Sequence, residues 1–249
     1  DVAADGVLAT NALPKSGGSL TGNIATKGIT SVTLGTSNFV AGSNAGDSIT
    51  SGGNNNTLIG DNAGTTITTA SNNTAVGSRA MIANTSGAEN TAVGEQALTV
   101  NTTGANNTAI GKAALLLNTT ASYNTVVGSS AMYNNTTGSN NVAVGFQSLQ
   151  QNTTAYQNTA VGTTALKSTT TGLDNTGVGF SAMFANTTGY NNTAVGKSSL
   201  AANTTGAQNT SVGKGALQAN TTASYNTATG HAALTANTTG ASNTAVGWY

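Results

Sequence analysis

Residues 192–208 read Asn-Thr-Ala-Val-Gly-Lys-Ser-Ser-Leu-Ala-Ala-Asn-Thr-Thr-Gly-Ala-Gln, and Asn209 then begins the same pattern again. The repeated unit can be written N-T-A-V-G-x-x-A-L-x-x-N-T-T-G-x-x, and an asparagine lies four residues before each of its first glycines. A fixed period held without insertion indicates a solenoid, in which each copy forms one coil stacked on the last. The repeated glycines stand 17 residues apart: Gly60, Gly77, Gly94, Gly111, Gly128, Gly145, Gly162, Gly179, Gly196, Gly213, Gly230 and Gly247.

The composition narrows the possible functions. Seven Lys and Arg balance seven Asp and Glu, and charged residues make up only 6% of the 249-residue chain, against about 25% in ordinary domains. Without a net charge there is no field to attract nucleic acid, so we expect no nucleic-acid partner. Low hydrophobicity is also typical of disorder, but disorder does not require a strict period.

Other absences in the sequence exclude further classes. There is no cysteine, which rules out disulfides and thiolate metal sites. No apolar run approaches 18 residues, so we expect no membrane insertion. The chain begins with Asp1 and stops within a repeat at Tyr249, and we therefore expect it to be a fragment of a longer protein.

Three regions follow one another along the sequence. Residues 1–37 contain the only proline and are interpreted as a fibre-shaft or attachment-like segment. Residues 38–55 are interpreted as a transition and cap, because the 17-residue register is not yet established there. Residues 56–249 are the predicted solenoid, with a truncated last repeat.

Each coil is predicted to begin with a short strand, Asn-Thr-Ala-Val-Gly, in an all-β parallel solenoid or β-roll. Alternation places Thr and Val on one face of the strand and Ala on the other. We predict that the Val and Ile side chains form one buried row and the Leu and Met side chains of the second half form another. Thr229 interrupts the first row and is expected to need a hydrogen-bond partner there. The second half, Ala-Leu or Ala-Met with its neighbours, fits either a short helical turn or an extended stretch.

Two positions in each coil are predicted to be structural. The glycine permits a tight or left-handed backbone, and the asparagine amides are expected to hydrogen-bond from coil to coil. Representative positions are Asn73, Gly77, Asn107, Gly111, Asn141, Gly145, Asn192 and Gly196.

The thin core of each coil favours assembly. Only about two large apolar side chains per coil point inward, while ordering the backbone costs about 1–2 kcal/mol per residue. The small Ala row would let another chain approach closely. We therefore predict a homotrimer, intertwined or side by side, forming a rod about 58 Å long.

The Asn-Thr-Ala-Val-Gly coils resemble the head repeats of trimeric autotransporter adhesins, which form left-handed parallel β-rolls. Those repeats are usually shorter, so the 17-residue coil needs a longer return segment. Coils in phage tail-fibre proteins are also similar. The resemblance covers residues 56–249 and implies a trimeric, fibrous protein concerned with host attachment.

A second resemblance favours the phage family. Residues 13–24, Leu-Pro-Lys-Ser-Gly-Gly-Ser-Leu-Thr-Gly-Asn-Ile, are similar to a segment of phage tail-fibre shafts. It implies a structural segment of a virion tail fibre that positions a receptor-binding tip. The implied partners are other tail proteins at the N-terminal end and a host surface receptor, a glycan, bound through a distal part. The alternatives are a bacterial adhesin head at the cell surface and an ice-binding solenoid with Thr pairs such as Thr102-Thr103.

No catalytic, cofactor or metal site is predicted. The carboxylates lie on different coils, and the single histidine, His231, occupies a variable position that indicates exposure. The repeated Asn-x-Ser/Thr sequons are interpreted as stacked amides rather than glycosylation sites. Exposed aromatic rings are candidates for glycan contact: Tyr123, Tyr156, Tyr190 and Tyr225.

Overall fold

A computed structural model describes residues 35–248. Within this range the chain forms one sheet of thirteen parallel strands, which follow each other in chain order. The predicted all-β solenoid is therefore confirmed, and the attachment-like motif at residues 13–24 lies outside the described residues. The strands are β1 (Phe39–Ala41), β2 (Thr57–Ile59), β3 (Thr74–Val76), β4 (Thr91–Val93), β5 (Thr108–Ile110), β6 (Thr125–Val127), β7 (Val142–Val144), β8 (Thr159–Val161), β9 (Thr176–Val178), β10 (Thr193–Val195), β11 (Thr210–Val212), β12 (Thr227–Thr229) and β13 (Thr244–Val246).

Strand register repeats from coil to coil. Thr74 pairs with Thr91 and Val76 with Val93, one repeat later. The first pair differs by one residue, since Phe39 lies opposite Thr57. Residues 38–55 thus form a coil of the same stack, with one extra residue. Thirteen strands at about 4.8 Å spacing make a rod about 58 Å long.

The second half of each coil is not helical; the described residues contain no helix. Its amides bond to the next coil instead: Met81 N donates to Ala97 O at 3.0 Å, and Ala83 N donates to Thr99 O at 3.0 Å. These inter-coil bonds replace the i to i−4 bonds of a helix, which resolves the ambiguity left by propensity. The chain turns here through left-handed residues, such as Gln96 and Leu98 with φ of 61° and 51°.

The predicted Leu and Met row is confirmed as the core. Nine of its ten members are fully buried, and only Leu234, near the end of the stack, is partly exposed. The buried members are Met81, Leu98, Leu115, Met132, Leu149, Leu166, Met183, Leu200 and Leu217.

The predicted burial of the Val and Ile row is wrong. The central residue of each strand, Ala in most coils, points inward, while the third residue, usually Val or Ile, points outward and is partly or largely exposed, as with 39% for Ile110. Thr229 is likewise exposed, so its hydroxyl needs no partner within the stack. The inward Ala row also cannot be the surface on which another chain approaches.

The physical reason for this inversion is the thinness of the coil. The Leu or Met row already fills the space opposite the strand, so the strand can contribute little more than a methyl group. At Gly177, an added Cβ would lie 3.1 Å from Leu166 Cγ. Where the strand carries the larger Leu58, the facing position is Gly64, and a Cβ there would lie 2.9 Å from Leu58 Cδ2. Large and small residues have exchanged places across the coil.

Candidate functional site

The outward face of the sheet is a flat array of β-branched side chains. Each strand presents its first and third residues, which are Thr and Val in most coils. Neighbouring strands are in register, so the Thr side chains form one row and the Val or Ile side chains another. None of the strands between residues 35 and 248 carries a charged residue. An uncharged, half-apolar strip therefore runs along the rod.

The asparagines predicted as structural positions line the interior beside this face. Asn141 is fully buried. Its Oδ1 accepts from the backbone N of Asn158 at 2.9 Å, and its Nδ2 donates to Asn124 Oδ1 at 3.2 Å and to Ala155 O at 2.9 Å. Asn73, Asn107 and Asn192 are buried in equivalent coil positions and are also bonded to neighbouring coils.

The glycines predicted as structural positions stand where coils approach most closely. Gly145 has a φ of 133°, and a Cβ added there would lie 2.6 Å from the carbonyl carbon and oxygen of Gly162. Gly77, Gly111 and Gly196 have φ between 128° and 135°, with similar clashes. Both the backbone conformation and the lack of space require glycine at this position.

A second row of buried asparagines explains the sequons. In the Asn-Thr-Thr turn, Asn118 Nδ2 donates to Asn101 Oδ1 at 2.8 Å and to Ala121 O at 3.0 Å. Amides buried and bonded in this way are not exposed to accept a sugar. The row is interrupted where Thr169 replaces the asparagine. There Thr169 Oγ1 and Asn152 Oδ1 are buried without a hydrogen-bond partner.

The remaining candidates do not converge on one site. Tyr123, Tyr156, Tyr190 and Tyr225 are exposed by 43–62%, but they lie on separate coils. Their part in glycan contact stays a prediction.

The carboxylates between residues 35 and 248 are spread over several coils. Glu95 forms a salt bridge with Lys112 at 2.9 Å, and Glu89, Asp61 and Asp174 lie on other coils. No group of three His, Cys, Asp or Glu that could hold a metal ion occurs in this part of the chain. In the same part, no helix is long and apolar enough to cross a membrane.

Sequence reasoning missed a row of basic residues at the position after the coil glycine. Lys197, Lys214 and His231 occupy this position in three successive coils. The available signal was their 17-residue spacing, which places them side by side. This position varies along the rod as a whole, but similar residues follow one another there in neighbouring coils. An average over all coils does not show that order.

Comparisons with protein-family models, curated proteins and solved structures found no match.

Proposed function

We propose that this chain is a structural segment of a trimeric phage tail fibre, where it acts as a spacer that positions a receptor-binding tip for host attachment. The observation that carries this proposal is the uninterrupted stack of coils from β1 to β13. Backbone and asparagine side-chain hydrogen bonds link successive coils throughout. Such a stack suits a stiff rod better than an enzyme, and the resemblance of residues 13–24 to fibre shafts favours the virion.

The sheet face supports assembly into a homotrimer. Its Val and Ile side chains, such as Val195 at 37% and Val212 at 38% exposure, gain by being removed from water. Burial contributes about 25 cal/mol per Å² of apolar surface. Because the outward positions of strands β1 to β13 are all uncharged, three such faces could meet around one axis without burying an ion.

The dimensions of the face set the size of such a contact. Thr and Val rows about 7 Å apart, along a rod about 58 Å long, give a strip about 10 Å wide with a flat area of about 600 Å². In a trimer this strip would be divided between two neighbours, so each pair would share less than the ~800 Å² per partner of a standard interface. The partner proposed for this face is another copy of the chain, because it presents the same uncharged strip.

Sedimentation of wild type and a Val144→Asp variant tests the trimer. Val144 points outward, so the variant should keep its far-ultraviolet circular dichroism spectrum while the trimer dissociates, because an interface would bury three carboxylates. Thr163→Asp, on an exposed turn outside the face, is the control and should remain trimeric. A folded wild-type monomer at micromolar concentration would contradict the trimer.

The neighbouring reading frames test the fibre itself. Genes for other tail proteins beside the full-length frame would support a phage fibre. An outer-membrane anchor encoded after Tyr249 would instead favour the adhesin head at the bacterial surface.

Ice binding is a second candidate, favoured by the in-register Thr and Val rows. The Thr pairs in the turns are less suitable, because Thr102 Oγ1 already donates to Thr119 O at 3.0 Å. An ice-binding face must be open to solvent, and a trimer of the kind proposed above would cover it. This candidate therefore requires a monomer that shows thermal hysteresis. Thr159→Tyr, in the middle of the face, should then abolish hysteresis without unfolding the coils.

A further inference from the structure

We propose that the edge formed by Lys197, Lys214 and His231 binds an anionic saccharide, with the aromatic rings of Phe180 and Trp248 at its two ends. This lateral site lies along the rod itself. It goes beyond the proposed spacer function and does not depend on a receptor-binding tip.

The five residues form one continuous row. Each follows the glycine of its coil, so successive members are separated by one coil, about 4.8 Å. Lys197 Nζ lies 5.7 Å from the ring centroid of Phe180. At the other end, the ring centroids of His231 and Trp248 are 5.3 Å apart, with the planes tilted by 57°.

Lys197 and Lys214 bring together positive charge that the neighbouring coils do not neutralise. Earlier in the rod, Lys112 at the same coil position forms a salt bridge with Glu95 of the preceding coil at 2.9 Å. At Lys197 and Lys214 the neighbouring coils offer a cation, an imidazole or an aromatic ring instead of a carboxylate. Like charges on adjacent strands repel each other, and a bound anion between them would relieve that repulsion.

A cavity lies between these side chains. Its volume is about 240 Å³, and its lining includes Lys197, Lys214, Gly215, Gln218 and His231. Gly215 contributes to the size of the cavity because it has no side chain. A Cβ added there would enter the cavity and lie 3.3 Å from Gln218 Oε1. The preceding and following coils carry Ser198 and Ala232 at the equivalent position.

These features together indicate the class of ligand. Lysine ammonium groups and the Gln218 amide suit a carboxylate or sulfate group. Exposed Phe180 and Trp248 offer flat apolar faces on which a sugar ring can pack. An acidic polysaccharide lying along the rod would meet a cation on each of two successive coils. Nucleic acid is disfavoured because the chain as a whole has no net charge to attract it.

Binding to four defined probes tests the proposal. The intact 249-residue chain is titrated with dextran sulfate, polygalacturonate, neutral dextran and a single-stranded oligonucleotide. We expect binding to dextran sulfate or polygalacturonate that weakens with added salt, and none to dextran. The two anionic sugars distinguish sulfate from carboxylate recognition. Equal binding of neutral dextran, stronger binding of the oligonucleotide, or no binding of either acidic sugar would overturn the proposal.

Variants locate the binding on the rod. Lys197→Gln with Lys214→Gln should weaken binding at least about tenfold, whereas Lys112→Gln, a lysine at the same coil position, should change it less than about twofold. Gly215→Ser should also weaken binding by filling the cavity with the residue found in the preceding coil. Circular dichroism and sedimentation must match wild type in each case. Unchanged affinity in both the double variant and Gly215→Ser, or equal loss in Lys112→Gln, would refute this location.

Discussion

Replacing Thr169 by Asn should stabilise the protein by repairing the interruption in the inner row of turn asparagines. Thr169 is fully buried and its Oγ1 has no partner, and neither has Asn152 Oδ1. In intact parts of the row, the next asparagine donates to this oxygen at 2.7–3.1 Å. The backbone repeats with the same register in β9 and β10, so the site should accept an asparagine as its neighbours do.

The expected gain follows from the bonds restored. The amide introduced by Thr169→Asn would donate to Asn152 Oδ1, and its own oxygen would accept from Asn186 Nδ2. An intramolecular hydrogen bond contributes about 0.5–1.5 kcal/mol, and a buried polar atom left unpaired costs about 1–3 kcal/mol. We expect the free energy of unfolding to rise by about 1–3 kcal/mol, with the gain concentrated in the coils on either side.

Two measurements should register this gain. Stability in repeat proteins is approximately a sum of local and nearest-neighbour terms, so hydrogen exchange of amides in residues 152–187 should slow most. The urea midpoint should rise as well. Thr171→Asn, the same substitution at an exposed position, serves as the control and should be neutral. The reverse change, Asn118→Thr, should destabilise by a similar amount. Faster exchange in Thr169→Asn, or no effect from either buried variant, would refute the reasoning.

Other substitutions probe the remaining contacts. Gly145→Ala should destabilise by at least about 2 kcal/mol in a urea titration, because it combines an unfavourable φ with a backbone clash. Gly215→Ala should cost less than about 1 kcal/mol in the same titration, because other coils have alanine at this position. Asn141→Ala should cost about 1–3 kcal/mol, because it leaves the buried Asn158 N–H without an acceptor. Asn134→Ala near the surface should be close to neutral by calorimetry. Lys112→Asp should change the free energy of unfolding by less than about 0.5 kcal/mol, since its salt bridge is exposed; a larger loss would contradict the assignment of this position to the surface.

The stacking of the coils was predicted correctly from the sequence, but the strand side chains that face the interior were not. Period and glycine spacing define the solenoid because every coil must superpose on the next. Strand alternation correctly grouped Thr with Val and separated both from Ala. Apolarity alone then suggested that Val faces inward, but the limiting quantity is volume. One coil of the sequence shows this limit on volume: Leu58 stands where the strand usually has Ala, and Gly64 stands where the second half of the coil usually has Leu.

Side-chain rows along the axis were harder to anticipate than the coil itself. Reading the repeat as an average hides the order in which residues follow each other at one position. Lys197 and Lys214 illustrate this point, because they occupy the same position in successive coils. Ser199 and Ser211 replace alanines at two different positions of neighbouring coils, and their buried hydroxyls lie 2.6 Å apart. Such features appear only when the individual residues of successive coils are compared directly.

The direction of the inter-coil hydrogen bonds determines how the rod responds to tension. Strands lie across the long axis, so a pull on the two ends acts along the bonds and loads the coils in series. Each coil then yields separately, and each yielding coil releases 17 residues, or about 55–60 Å of extended chain. A single chain of such coils would lengthen in regular steps under load. In an assembly of chains along the Thr and Val face, neighbouring chains would share the force.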